Sequence, residues 1–136
     1  MTQIVYVTRR IKVMESKFYV SLEAARLLKE KGYNNYSTVY DCSVEGNILL
    51  NQEPMYGEWM RDKDVYPCPT KAETIDWLDS KEVYIKIGGV GSGKRQKWLY
   101  SVFDYKTCGN YESGYIFPTR LEAEDAAIIK ALELLK

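Results

Sequence analysis

Apolar and polar residues recur along this chain with two spacings, one helical and one extended, and their succession predicts three helices and two hairpins. Over 22–31, Ala24, Ala25, Leu27 and Leu28 share one side of a helix, while Glu23, Arg26 and Glu30 take the other. Ser21 stands where an N-cap hydroxyl holds the first amides, Gly32 where the chain leaves the helix, and Lys29 and Lys31 beside its negative pole. A second helix is predicted over 70–80. Its Thr70-Lys71-Ala72-Glu73 start has the form of a capping box, with Ala72, Ile75 and Leu78 on the apolar side and Asp76 and Asp79 in water. Thr119-Arg120-Leu121-Glu122 repeats that form and opens a third helix to about Leu135, striped by Leu121, Ile128, Leu132 and Leu135. Glu122, Glu124 and Asp125 load its first turns with negative charge, which the helix dipole accounts for without catalysis.

The extended pattern comes in two blocks. Residues 38–45 and 48–51 flank Gly46-Asn47 and predict one hairpin; 83–87 and 96–105 flank a glycine-rich stretch and predict another. Residues 3–8 predict an additional N-terminal strand. Residues 52–69 read as irregular, with Met55, Tyr56, Trp59 and Met60 pinning the loop to the core in preference to the alternative of a partner-binding patch, and 106–114 as a turn-rich link. The expected fold is therefore α+β: an antiparallel sheet built from two β-hairpins with about three amphipathic helices packed on it. The order is helix, hairpin, helix, hairpin, helix, with the extra strand in front. In the second hairpin Val83, Ile85 and Ile87 share a face, but Trp98-Tyr100-Val102 and Leu99-Phe103 make both faces of the following strand apolar. One face is expected to meet the helices, and the other to keep aromatics for a loop or a partner.

At 136 residues the chain is read as a single domain, 1–136, with 1–16 as a loosely attached N-terminal strand. Nineteen basic residues balance nineteen acidic ones, which disfavours generic nucleic-acid binding through phosphate neutralisation and favours self-association. The absence of histidine removes Ser–His and Cys–His nucleophile pairs and imidazole metal ligands at one stroke. Cys42, Cys68 and Cys108 form no C-x-x-C pair and read as reduced thiols of a cytoplasmic protein. The N-terminus does not read as a signal peptide, and no apolar run is long enough to span a bilayer. Neither catalytic residues nor a bound cofactor or metal are expected.

One stretch resembles a site. Gly88 to Lys94 reads G-G-V-G-S-G-K, matching the G-x-x-x-x-G-K part of a phosphate loop, and a β-branched strand leads into it. However, position 95 is Arg where that loop needs a metal-binding hydroxyl, and strand-forming residues follow where it needs a helix. The stretch is accordingly read as a hairpin tip. Its cations Lys94, Arg95 and Lys97 beside Trp98 are the candidate contact for an anion or a partner.

Val20-Ser21-Leu22-Glu23-Ala24-Ala25-Arg26-Leu27-Leu28-Lys29-Glu30-Lys31-Gly32-Tyr33 resembles the opening of a group of small uncharacterised proteins encoded by prophages and mobile elements of Bacteroides-type gut bacteria. Two further segments fit the same pattern, Cys68-Pro69-Thr70 running to Asp76-Trp77-Leu78 and Thr119-Arg120-Leu121-Glu122-Ala123 running to Ala131-Leu132-Glu133-Leu134-Leu135. The resemblance implies a bacterial cytoplasm and a phage or prophage context, and it carries no activity, cofactor or site residues. The function expected is that of a non-catalytic accessory protein that binds another protein, or a second copy of itself, through Tyr- and Trp-rich strands. The alternative is a nucleic-acid-associated protein using the basic tip around Lys94, Arg95 and Lys97.

Overall fold

Ser21 and Gly32 bound the first helix much as the sequence predicts. In the computed structural model, which describes residues 3–6, 18–42, 47–51, 65–114 and 116–135, helix α1 spans Leu22–Glu30. The Ser21 hydroxyl accepts from the Ala24 amide at 3.2 Å. At the other end Gly32 takes φ +90, and the Tyr33 amide donates to the Leu28 carbonyl and the Gly32 amide to Lys29, a Schellman closure. Ala24, Ala25 and Leu28 are buried, and Tyr33 follows them inside.

Backbone contacts divide the chain into two compact units, Met1–Thr70 and Lys71–Lys136. The first holds α1 and a four-stranded sheet made of β1 (Gln3–Tyr6), β2 (Val39–Asp41), β3 (Asn47–Asn51) and β4 (Val65–Pro67), in the order β1-β3-β2-β4. The predicted β2–β3 hairpin pairs antiparallel, Val39 opposite Asn51. Its turn lies partly outside the described residues, but Asn47 belongs to the strand, opposite Gln3. The N-terminal strand is present and runs parallel to β3. β4 falls within the stretch read as irregular; its Pro67 is tolerated because β4 is an edge strand. Tyr36, Val39 and Val65 form a buried cluster, and burial raises the Tyr36 hydroxyl above its ordinary pKa. The Tyr40 hydroxyl donates to the Val20 carbonyl at 2.7 Å, tying the sheet to the start of α1. Arg26 and Lys29 of α1 lie over the Tyr66 ring, 5.5 and 5.1 Å from its centroid. The side chains Met55, Tyr56, Trp59 and Met60 lie outside the described residues.

The second unit holds α2 (Lys71–Ser80), β5 (Val83–Val90), β6 (Lys97–Asp104), β7 (Gly109–Glu112) and α3 (Arg120–Leu134). Its three strands pair consecutively and antiparallel, β5-β6-β7. The fold is α+β, with three α-helices among the described residues, but the two hairpins sit in separate sheets and do not join into one. β7 replaces the expected turn-rich link: Asp104 accepts from the Lys106 amide and the Thr107 hydroxyl, turning the chain so that Gly109 pairs back against it.

Two helix faces differ from the expected ones. In α2 the buried residues are Lys71, Thr74 and Leu78, while Ala72 is exposed and Ile75 half-buried. Lys71 can lie inside because its ammonium meets the Asp125 carboxylate of α3 at 3.2 Å. In α3 the buried stripe is Ala123, Ala127, Ile128, Ala131 and Leu132, with Leu121 only half-buried. Alanine every fourth residue lets the helix lie close on the sheet, and bulk comes from Ile128 and Leu132. Its N-cap is Thr119, whose hydroxyl accepts from the Glu122 amide at 3.2 Å.

Candidate functional site

The stretch resembling a phosphate loop forms the end of a hairpin. Gly88 and Gly89 are strand residues opposite Leu99 and Trp98, and Val90 closes the ladder opposite Lys97. Residues 93–95 make a single 3₁₀ turn, in which the Arg95 and Gln96 amides donate to Ser92 and Gly93 carbonyls. Gly91 has φ +83, and a Cβ there would stand 2.9 Å from the Arg95 carbonyl oxygen, so the tight turn needs glycine at that position. No helix follows Lys94; β6 begins at Lys97, so the helix N-terminus that faces the anion in a phosphate loop is not formed.

Alternation along β6 then separates the four residues singled out from sequence. Lys94, Arg95 and Lys97 are exposed at and beside the tip. Trp98 points to the other face of the sheet, where Arg120 of α3 lies 5.7 Å from its ring centroid. Its backbone also bridges to Phe117 by two hydrogen bonds, of 2.9 and 2.6 Å. The three cations stay exposed at the tip and the first position of β6, and Trp98 is taken to the other face.

The register sorts the whole sheet into two faces. Val83, Ile85 and Ile87 stand opposite Asp104, Val102 and Tyr100, and this is the face α3 covers. Val83 and Val102 are buried there, Arg120 caps Trp98, and Lys130 of α3 lies 5.3 Å from the Tyr111 ring centroid. A small cleft of about 70 Å³ beside Leu134 is lined by Lys81, Val83 and Asp104. Both Asp104 carboxylate oxygens accept hydrogen bonds within the β6–β7 turn, which gives that residue a structural role.

The opposite face is made by Tyr84, Lys86, Gly88 and Val90 of β5 against Phe103, Ser101, Leu99 and Lys97 of β6. Tyr84 and Val90 are each 43% exposed, Lys86 and Lys97 are exposed, and Leu99 and Phe103 are half-buried. Phe103 meets the ring of Tyr105 edge-on, centroids 6.5 Å apart, and Tyr105 is 60% exposed. Tyr84, Phe103 and Tyr105 are the residues that reasoning from the tip alone overlooks. The available signal was that Leu99 and Phe103 leave a second apolar face on a strand whose first face already has one.

Among the described residues no group of His, Cys, Asp and Glu is placed to hold a metal ion, and no helix is long and apolar enough to cross a membrane. Cys68 is buried, Cys42 half-buried and Cys108 exposed, and none of them is in a disulfide. No family model, no curated protein and no solved structure matches this chain.

Proposed function

We propose that this chain is a non-catalytic binding protein, an accessory protein of phage or prophage origin, which holds its partner on the open face of the β5–β6–β7 sheet. The observation that carries this reading is the exposure of Tyr84 and Val90 at 43% each, in a sheet whose other face is packed against α3. Large rings left in water on a flat, rigid surface offer contact area at small entropic cost. The resemblance of the capped helices to prophage-encoded proteins supports the origin, and the sequence reading puts a protein or a second copy of the chain first among partners. The experiment is capture from host lysate with the tagged protein, comparing the wild type with Tyr84→Ala/Phe103→Ala. Loss of the captured material in a variant that still melts cooperatively is the expected result. Undiminished capture would remove the open face as the contact surface.

A further inference from the structure

We infer that the occupant of the open face is a single-stranded nucleic acid; this rests on the binding reading above and names its ligand. The charge of the hairpin is the first reason. From Val83 to Phe103 the chain carries Lys86, Lys94, Arg95 and Lys97 and no acidic residue, although the whole protein is neutral. Lys86 and Lys97 lie on the open face itself, and Lys94 and Arg95 stand at its tip. Glu112, on β7 beyond Ser101, is the acid among the strand residues of that face, and Glu82 lies just before β5, its carbonyl accepting from the Tyr105 amide. An extended polyanion lying along the hairpin meets cations over most of its length, which a neutral peptide would not exploit.

The rings are the second reason. On the covered face Trp98 and Tyr111 are each capped by a cation from α3. Among the described residues no cation lies over Tyr84, Phe103 or Tyr105, and Tyr84 stands directly opposite Phe103. Adjacent open rings on a sheet are the platform on which unpaired bases stack. From the Tyr84–Phe103 pair to the Val90–Lys97 pair the face runs about 20 Å, at about 3.4 Å per residue. Bases at the ring end thus leave the following phosphates beside Lys86, Lys97 and the tip. Paired bases in a duplex are already stacked and do not offer their faces, so the single strand is preferred.

The test is fluorescence anisotropy with a labelled twenty-nucleotide oligo-dT and with a duplex of the same length. The single strand is expected to bind more tightly. With four phosphates neutralised, affinity should fall about 50-fold between about 50 and 200 mM salt, and Lys94→Ala/Arg95→Ala should reduce that fall to about sevenfold. Tyr84→Ala and Phe103→Ala should each weaken binding roughly tenfold while leaving the salt slope in place. No anisotropy change with oligo-dT at low salt overturns the inference. If nuclease-treated lysate still yields a protein whose capture is lost in Tyr84→Ala/Phe103→Ala, the inference fails and the binding face survives with a protein on it. If no capture depends on those rings, both fail together.

Discussion

The two faces of the β5–β6–β7 sheet both carry large apolar side chains and have opposite fates. The covered face sets Val83, Ile85, Ile87, Trp98, Tyr100 and Val102 beside Asp104, whereas the open face interleaves Tyr84, Val90, Leu99 and Phe103 with Lys86, Lys97 and Ser101. One is buried because α3 brings Ala123, Ala127 and Ala131 down on it, small side chains that allow close approach. The other keeps Tyr84, Val90 and Tyr105 in water beside lysines. The difference teaches that apolar character alone does not assign a core. What assigns it is whether a neighbouring element has a complementary surface to offer.

The comparison can be broken most forcefully from the covered side. Leu132→Ala removes a fully buried side chain of α3 and should cost about 2–5 kcal/mol, read as a lower urea midpoint at unchanged slope. A smaller loss, about 1–3 kcal/mol, is expected of Ala127→Leu, because added bulk would lift the helix off the sheet. Should Ala127→Leu instead be neutral in thermal melts, the close approach attributed to the alanine stripe would be wrong. Next comes Asp125→Ala, which leaves the Lys71 ammonium, 5% exposed, without the carboxylate it meets; about 1–2 kcal/mol is expected, tempered by the 39% exposure of Asp125. A double-mutant cycle with Lys71→Met isolates that pair, and a coupling near zero would deny it a role in joining α2 to α3. On the open face Tyr84→Ala should change stability by no more than about 0.5 kcal/mol. A larger loss in that variant would show that Tyr84 is part of a core and not of a binding face.

Much of this architecture was legible locally. The caps of α1 and α3 follow from Ser21, Gly32 and Thr119, because capping hydrogen bonds join residues three apart in the chain. The β5–β6 hairpin was equally readable, since glycine at the turn and alternation on both sides are short-range signals. β1, β4 and β7 were harder. β1 pairs in parallel with a strand about forty residues away, which no local pattern announces. Gly109-Asn110-Tyr111-Glu112 is polar and glycine-led, and becomes a strand because β6 offers it an edge. The face of α2 was misjudged because hydrophobicity ranks Lys71 outside, and only the position of Asp125 on another helix admits it. The candidate site divides the same way. Lys94, Arg95 and Lys97 could be picked out as a cationic tip, whereas Tyr84 and Phe103 become one surface only through cross-strand register.

The sequence by itself determined where helices begin, where the glycine-rich hairpin turns, and that Gly88 to Lys94 leads from strand to strand. Each of these depends on backbone hydrogen bonds and allowed dihedrals among residues a few positions apart. Tertiary structure alone decided that there are two sheets, that Lys71 is inside, that Trp98 turns away from the cations beside it, and which apolar face stays in water. Those outcomes depend on partners distant in sequence. Burial is a property of the pair of surfaces that meet, and neither surface alone contains it.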